Sequence, residues 1–207
     1  MNDIMSLGSH RLWKRFFLDF ISLTMDQKVL DLACGSGDIS ALLLKKYPNF
    51  ENIYLSDQNK EMMKIAKKKM GKNKAKFFFN PAENLPFRNN FFDYVFLAFG
   101  LRNFSDTDRC LREIRRVLKN EGSFFCLEFS HINKRSLRYI ANLYLKIIPS
   151  LGSIFAQDRN AYEYLIESIK LFPNQIELTK KFEYIGFKDI ECFDIFGGIA
   201  SIHICRK

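Results

Sequence analysis

Residues 29–38 read Val-Leu-Asp-Leu-Ala-Cys-Gly-Ser-Gly-Asp. An apolar, strand-like run enters a glycine turn, and a helical pattern begins directly after the turn. About 20 residues further on, the apolar run 53–55 is followed by Asp57. A glycine turn with a later acid is typical of parallel sheets that bind a nucleotide-like cofactor at the carboxyl edge of their strands. The stretch therefore predicts a parallel α/β sheet with a cofactor site at that edge.

The composition is that of an ordinary globular domain. The chain has 207 residues, which is enough for one domain with a sizeable core, and 47% of them are hydrophobic. The five cysteines have no CxxC spacing and do not cluster with the three histidines, so we expect reduced thiols, no metal site and a cytoplasmic protein. No apolar run approaches the roughly 20 residues of a membrane-spanning helix.

The net charge of +9 is compatible with an anionic partner. The basic residues are most concentrated in one stretch, at Lys60, Lys64, Lys67, Lys68, Lys69, Lys72, Lys74 and Lys76. The favoured interpretation is a solvated helix face, and the alternatives are contact with a membrane surface or with nucleic acid.

Strand and helix patterns alternate through the first two thirds of the chain. Strands are predicted at 28–32, 52–56, 75–79, 92–99 and 123–129, with helices at 12–23, 38–46, 60–70 and 105–118 and a turn at Glu121-Gly122. Three further helices are predicted at 136–148, 160–171 and 175–184, followed by a hairpin of 189–195 and 199–206 around Gly197-Gly198. A mostly parallel sheet closed by an antiparallel hairpin is typical of the Rossmann-like, seven-stranded S-adenosylmethionine-dependent methyltransferase fold.

The turn itself helps to choose between two cofactors. The NAD fingerprint has three glycines, but here Gly35 and Gly37 are followed by Ser40 at the third position. Asp31 lies at the strand end, where a carboxylate can organise the loop that receives an amino-acid moiety. A pyrophosphate would gain nothing from that acid. The residues thus favour S-adenosylmethionine, with the glycines allowing its close approach to the backbone.

Other positions complete the predicted cofactor site. Ser36 can hydrogen-bond the cofactor's carboxylate, and Asp57 can accept both ribose hydroxyls. The turn 80–87 follows the third predicted strand, which places Pro81 and Ala82 beside the adenine. For both turns the alternative is a purely structural loop.

Four strings carry a resemblance to a known family. They are Met-Asn-Asp-Ile-Met-Ser with His-Arg-Leu-Trp-Lys at 1–6 and 10–14, Leu-Asp-Leu-Ala-Cys-Gly-Ser-Gly-Asp at 30–38, Phe-Gly-Leu-Arg-Asn at 99–103, and Leu-Glu-Phe-Ser at 127–130. Together they strongly resemble the ubiquinone/menaquinone biosynthesis C-methyltransferases (the UbiE/MenG type), and the resemblance runs essentially end to end. The glycine string is shared by many methyltransferases, whereas Phe-Gly-Leu-Arg-Asn and Glu-Phe-Ser are specific to this family.

The resemblance implies S-adenosylmethionine as methyl donor and a prenylated benzoquinol or naphthoquinol as acceptor. Its cofactor positions correspond here to Ser36, Asp57, Pro81, Ala82 and Ala98, and Gln58 beside Asp57 completes the predicted set. Pro81 and Ala98 depart from the pattern, because family members often carry a polar residue and a serine there. A side-chain hydrogen bond to the cofactor is therefore expected to be missing.

The catalytic candidates follow the fourth predicted strand. We expect Arg102 to stabilise a quinolate or to position a water that takes its proton, and Asn103 to orient the ring oxygen. The alternative for Arg102 is a salt bridge to a nearby acid such as Asp106. Glu128 is expected either to face the substrate or to be a buried structural carboxylate. Asp158, Tyr162 and Tyr164 are candidates for the wall of the acceptor pocket, and His131 and His203 are expected to serve packing.

We expect one methyltransferase domain over 1–207. It would have an N-terminal helical segment over 1–24 that is truncated relative to the family, and a helical cover of the acceptor site over 130–173. The segment 137–155 would lie on an anionic membrane or pack on the sheet.

The expected partners are the quinol, a membrane surface in peripheral contact at its inner face, and either a second copy of the chain or a quinone-biosynthesis complex. Nucleic acid is not expected. The alternative functions are methylation of RNA or of another small molecule by the same fold, and a degenerate, non-catalytic member.

Overall fold

A computed structural model of the protein describes residues 10–71, 75–131, 159–195 and 197–207. The strands are β1 (Val29–Leu32), β2 (Ile53–Ser56), β3 (Lys76–Phe78), β4 (Phe92–Ala98), β5 (Leu118–Phe129), β6 (Lys188–Ile195) and β7 (Ala200–Arg206). The helices are α1 (His10–Asp19), α2 (Asp38–Lys46), α3 (Lys60–Met70), α4 (Thr107–Val117), α5 (Arg159–Leu171) and α6 (Gln175–Ile185), with a 3₁₀ helix at Leu101–Asn103.

The strands form one seven-stranded sheet in the order β3-β2-β1-β4-β5-β7-β6. β1 to β5 pair in parallel, and β7 runs antiparallel to both β5 and β6. The predicted methyltransferase fold with its C-terminal antiparallel hairpin is confirmed. The order reverses between β1 and β4, and it is at such a reversal that open α/β sheets bind ligands.

Helices cover both faces of the sheet, so the central strands are mostly apolar, with Asp31 of β1 a buried exception. On one face Phe17 of α1, Leu43 of α2 and Met63 of α3 pack around Val29 and Phe96. On the other face side chains of α4 and α6, including Leu111, Ile114 and Phe182, pack around Leu30, Leu32 and Phe124. These two layers hold the carboxyl ends of β1, β2 and β4 in fixed positions.

Helix starts are set by local side chains. Asn59 caps α3 by accepting hydrogen bonds from the backbone N–H groups of Glu61 and Met62. Asn174 and Glu177 form a reciprocal capping box at the start of α6, which ends at Gly186 in a left-handed conformation. The predicted bounds of α2 and α3 are confirmed.

Two sequence predictions differ from the structure by more than two residues at one end. The first helix ends at Asp19, short of the predicted residue 23. The predicted turn at Glu121-Gly122 is absorbed into β5, which begins at Leu118. The register explains the latter, since Phe92 pairs with Leu118 but Tyr94 already pairs with Ser123. The extra residues of β5 bulge out of the ladder and resemble a turn in sequence.

The predicted helix 136–148 and the segment 137–155 lie outside the described residues. Within the described parts of the chain, every helix is too short or too polar to cross a membrane. Those same parts contain no group of histidine, cysteine and acidic side chains arranged to hold a metal ion.

Candidate functional site

The two glycines of the turn between β1 and α2 have different surroundings. Both have left-handed backbones, with φ of 53° at Gly35 and 73° at Gly37. A Cβ at position 35 would meet no heavy atom within 4 Å, whereas one at position 37 would lie 3.2 Å from Ala66 Cβ. Gly37 therefore allows α2 to approach α3, and Gly35 leaves an open space of the kind that a close-lying ligand can fill.

Asp31 ties β1 to the first turn of α2. Its Oδ2 accepts hydrogen bonds from the backbone N–H of Ser40 at 3.1 Å and from the Ser40 hydroxyl at 2.6 Å. The side chain is buried, and burial raises the pKa of this carboxyl to about 6. Asp31 thus organises the turn, as expected from the sequence. Ser40, which stands where the NAD fingerprint has a third glycine, is its partner.

A cleft of about 200 Å³ opens at the carboxyl edge of the sheet. It is lined by Leu32, Ala33, Ser56, Asp57, Gln58, Asn59, Asn80, Ala82, Phe99, Gly100, Asn103 and Phe104. Four predicted site residues are brought together here: Asp57, Gln58, Ala82 and Asn103. Asn59, Asn80 and Phe99 were not among the predicted residues. Each lies within three residues of the end of β2, β3 or β4, and that position is the signal that could have identified them.

Asp57 is the centre of the hydrogen bonding in this cleft. Its Oδ2 accepts from the backbone N–H of Gly35 at 2.8 Å, and its Oδ1 accepts from that of Asn59 at 2.7 Å. A carboxylate oxygen can accept more than one hydrogen bond, so both oxygens retain capacity for a ligand. Asp57 therefore fixes the glycine turn against β2 while it lines the cleft.

The remaining predicted cofactor residues lie outside the cleft lining: Asp31, Gly35, Ser36, Gly37, Pro81 and Ala98. The Ser36 hydroxyl donates to Asp38 Oδ1 at 3.1 Å. The same carboxylate binds Lys14 at 2.7 Å and also Lys69. Burial alone would raise the pKa of Asp38, but the hydrogen bonds from the two lysines outweigh it and lower the pKa. Pro81 is exposed, and Ala98 packs half-buried against the core.

Arg102 and Glu128 form a buried ion pair. Arg102 Nη1 donates to Glu128 Oε1 at 2.5 Å and to the Phe99 carbonyl at 2.9 Å, and the two side chains are only 6% and 1% exposed. The guanidinium also lies 5.2 Å from the centre of the Phe129 ring. Asp106, the acid considered from the sequence, instead caps α4. The salt bridge that was the alternative for Arg102 thus exists, but with Glu128.

One buried nitrogen of the Arg102 guanidinium takes no part in these hydrogen bonds. Arg102 Nε is buried and has no hydrogen-bond partner among the described residues. Buried donors are normally satisfied by protein, water or ligand. The guanidinium is therefore held rigidly by Glu128 and Phe99 and still has a donor to offer.

A second cavity of about 400 Å³ lies between the 3₁₀ helix, α5 and α6. Its lining residues are Arg102, Thr107, Tyr164, Glu167, Ser168, Leu171, Phe172, Pro173, Leu178 and Lys181. The Tyr164 hydroxyl approaches Asn103 Oδ1 at 3.5 Å. Because Asn103 lines the first cleft and Arg102 lines this cavity, two consecutive residues stand between the two spaces.

Two of the remaining candidate residues are histidines that bond backbone carbonyls, and two others lie outside the described part of the chain. His131 bonds the Phe172 carbonyl and buried His203 bonds the Gln175 carbonyl, as packing histidines do. Burial lowers the pKa of His203. Asp158 and the Tyr162 side chain lie outside the described part of the chain.

Comparison with known proteins agrees with this geometry. A SAM-dependent methyltransferase from Aquifex aeolicus has the same fold, with a TM-score of 0.68, 17% identity and coverage of 99% of this chain and 96% of that chain. Proteins called "Ubiquinone/menaquinone biosynthesis C-methyltransferase UbiE" from Rickettsia typhi and Rickettsia prowazekii are each 44% identical over 100% of this chain and 86% of their own length. The ubiE/COQ5 methyltransferase family matches residues 1–207. The chain belongs to the ubiE/COQ5 methyltransferase family.

Proposed function

We propose that this protein is an S-adenosylmethionine-dependent C-methyltransferase that methylates the ring of a prenylated quinol in ubiquinone and/or menaquinone biosynthesis. The observation that carries the proposal is the full-length similarity to curated enzymes named for that activity. The fold supports it, because the cleft lies where the strand order reverses and Asp57 and the glycine turn meet there.

The residues at the cleft fit the donor. Asp57 would accept the ribose hydroxyls, and the open space at Gly35 would admit the donor's close approach to the backbone. Ala82 would contact the adenine from the loop after β3. When bound, S-adenosylmethionine supplies an electrophilic methyl group. The protein's own contribution is to hold the ring carbon in line with that methyl, which lowers the entropic part of the barrier.

Arg102 and Asn103 would act on the acceptor. A phenolic hydroxyl has a pKa near 10, so its ionisation at neutral pH needs a stabilising donor or a base. The Glu128 carboxylate compensates the charge of Arg102, and the guanidinium therefore serves as a rigidly oriented hydrogen-bond donor. Asn103, between the two spaces, would orient the ring oxygen.

The larger cavity would admit the quinol. α5 forms part of its wall, which supports a role for the region 130–173 as the cover of the acceptor site within a single 1–207 domain. The acceptor's prenyl tail partitions into lipid, so we also propose that the enzyme works in the cytoplasm in peripheral contact with the inner face of the membrane.

The function is tested by complementing a strain defective in quinone ring methylation and extracting its quinones for mass spectrometry. Restored methylated ubiquinone or menaquinone is the expected result, and the species restored distinguishes benzoquinol from naphthoquinol. An expressed, folded protein that restores neither quinone would contradict the proposal.

The role of Arg102 is tested by Arg102→Gln, with Arg116→Gln as the matched control. Arg116 bonds Glu113 and the Leu85 and Phe87 carbonyls, away from both spaces. We expect Arg102→Gln to lower kcat by about 100-fold or more with donor affinity nearly unchanged, because a donor to the developing negative charge is lost. The control should lose stability but keep its kcat per folded molecule. Unchanged turnover in Arg102→Gln would remove this residue from the mechanism.

A further inference from the structure

The positive charge of this protein is concentrated in one short stretch. Residues 60–76 contain eight lysines and a single glutamate, a net charge of +7 within a chain whose total is +9. The rest of the sequence is therefore almost balanced. A concentration of this kind gives the molecule one strongly basic side.

The structure places four of these eight lysines on the outer side of α3. The helix buries Met63, Ala66 and Met70 against the sheet. Its outward lysines are Lys60, Lys64, Lys67 and Lys68, all exposed. The acid of this helix, Glu61, forms an exposed pair with Lys64. This leaves most of the lysine charge uncompensated by carboxylates of the same helix.

Large apolar side chains are exposed among these lysines. Met62, Ile65 and Phe79 are 42%, 49% and 53% exposed. The Lys60 ammonium lies 5.2 Å from the centre of the Phe79 ring. We call the four outward lysines together with Met62, Ile65 and Phe79 the α3 face. Lysines around exposed apolar side chains are typical of helices that lie in a membrane interface.

The α3 face begins at the rim of the cofactor cleft. Asn59 caps α3 and lines the cleft, and Asn80, which follows Phe79, lines it too. A surface that docked at this face would therefore lie beside the rim of the cofactor cleft.

We propose that the α3 face docks the enzyme on the headgroup layer of an anionic bilayer. The charge complementarity is direct, since anionic lipids attract lysine clusters. The proposal rests on the proposed function, because a prenylated acceptor is what places the substrate in lipid. A bilayer fits better than RNA, because Met62 and Ile65 gain from entering the acyl boundary, whereas RNA engages phosphate contacts and base stacking.

The test is flotation of the full chain with vesicles of phosphatidylcholine alone or mixed with phosphatidylglycerol. We expect binding only to the anionic vesicles, weakened by salt. The triple variant Lys64→Gln, Lys67→Gln, Lys68→Gln should bind on the order of 100-fold more weakly. Its matched control removes three exposed lysines elsewhere, Lys170→Gln, Lys180→Gln and Lys188→Gln, and should bind within about twofold of wild type.

The variant Ile65→Ser distinguishes insertion of an apolar side chain into the bilayer from attraction of the lysines to anionic lipid. It keeps every lysine, and we expect it to weaken vesicle binding roughly 10-fold if the side chain enters the lipid. Equal binding by wild type and by the triple variant would overturn the proposal. So would wild-type protein that ignores anionic vesicles but binds single-stranded RNA through the same lysines.

An activity assay keeps the two proposals separate. With a short-chain, water-soluble quinol, the triple variant should turn over as wild type does, but with a prenylated quinol held in anionic vesicles it should be slower. The soluble acceptor alone tests the proposed function. The vesicle measurements alone test the α3 face, and loss of turnover on the soluble acceptor in the triple variant would contradict its assignment as a docking surface.

Discussion

Asp57 is the residue on which donor binding is expected to depend most. It holds the backbone N–H groups of Gly35 and Asn59 and faces the cleft with its remaining lone pairs. Asp57→Asn replaces one acceptor oxygen by a donor and removes the charge. Because hydrogen bonds to a charged group contribute about 1.5–3 kcal/mol, we expect S-adenosylhomocysteine to bind about 10- to 100-fold more weakly by isothermal titration.

The matched control for Asp57 is Asp106→Asn, since Asp106 also accepts a backbone N–H but caps α4 outside the cleft. Asparagine is a good cap, so this variant should keep both stability and affinity. Equal affinities in wild type and Asp57→Asn would show that the carboxylate does not bind the donor.

The raised pKa of Asp31 should make the free energy of unfolding depend on pH. Burial raises the pKa of its carboxyl from 3.8 to about 6, so the folded state holds the proton more tightly than the unfolded state. The contribution to stability is then complete below the unfolded pKa and is lost as pH rises through about 6. This rise in the pKa of Asp31 corresponds to about 3 kcal/mol.

Asp31→Asn removes this titration, while its amide oxygen can still accept from Ser40. Between about pH 4 and pH 7, the free energy of unfolding should therefore rise in the variant relative to wild type by up to about 3 kcal/mol, measured by urea denaturation. A difference that does not vary with pH would place the carboxyl's pKa near its ordinary value in the folded state.

Individual site residues differ in how far the sequence could identify them. Asp31 and Asp57 were identified because each stands at or just beyond a strand end within a short motif. The partner of Arg102 was not, because Glu128 is 26 residues away and meets it only through the parallel pairing of β4 and β5. Asp106 was nearer in sequence, but the helix it caps uses its carboxylate.

At the scale of elements, substitutions of Gly35 and Gly37 in the turn between β1 and α2 are expected to have different effects. Alanine at either position must adopt a left-handed backbone, at a cost of about 1–2 kcal/mol. At 37 the new methyl would also crowd Ala66, adding about 1–3 kcal/mol of overpacking. At 35 it would enter the open space.

We therefore expect Gly37→Ala to lose more stability than Gly35→Ala in urea denaturation, and Gly35→Ala to lose donor affinity out of proportion to its stability. The two variants control for each other, because they make the same chemical change two residues apart. Equal donor affinity in Gly35→Ala and wild type would mean that the donor does not approach the backbone at this turn.

Element boundaries were predictable where a local signal sets them. α2 follows the glycine turn and α3 follows the Asn59 cap, so both bounds agree with the sequence pattern. β5 was predicted too short because its bulge is created by pairing with β4, a contact between distant residues. The second cavity was likewise unpredictable, since its lining comes from the 3₁₀ helix, α4, α5 and α6 together.

At the scale of the whole molecule, the strand order explains why the site is where it is. β1 lies between β2 and β4, so the connections leaving β1 and β4 diverge to opposite faces and leave a crevice at their carboxyl ends. Asp57 and Asn103 of the 3₁₀ helix line this crevice, and Asp57 holds the glycine turn beside it. A ligand bound there contacts elements from both halves of the sheet and should stabilise the fold as a unit.

That coupling gives a prediction for thermal unfolding. A ligand that binds only the folded state at about 100 times its Kd adds about 2.7 kcal/mol, and for a domain of this size each kcal/mol raises Tm by roughly 2–4 °C. S-adenosylhomocysteine at such a concentration should therefore raise Tm by about 5–10 °C, measured by calorimetry. NADH should leave Tm unchanged, because the turn carries Ser40 where that cofactor's fingerprint has glycine. Asp57→Asn should show a smaller rise at the same ligand concentration, and a rise with NADH but not with S-adenosylhomocysteine would contradict the assignment of the cleft.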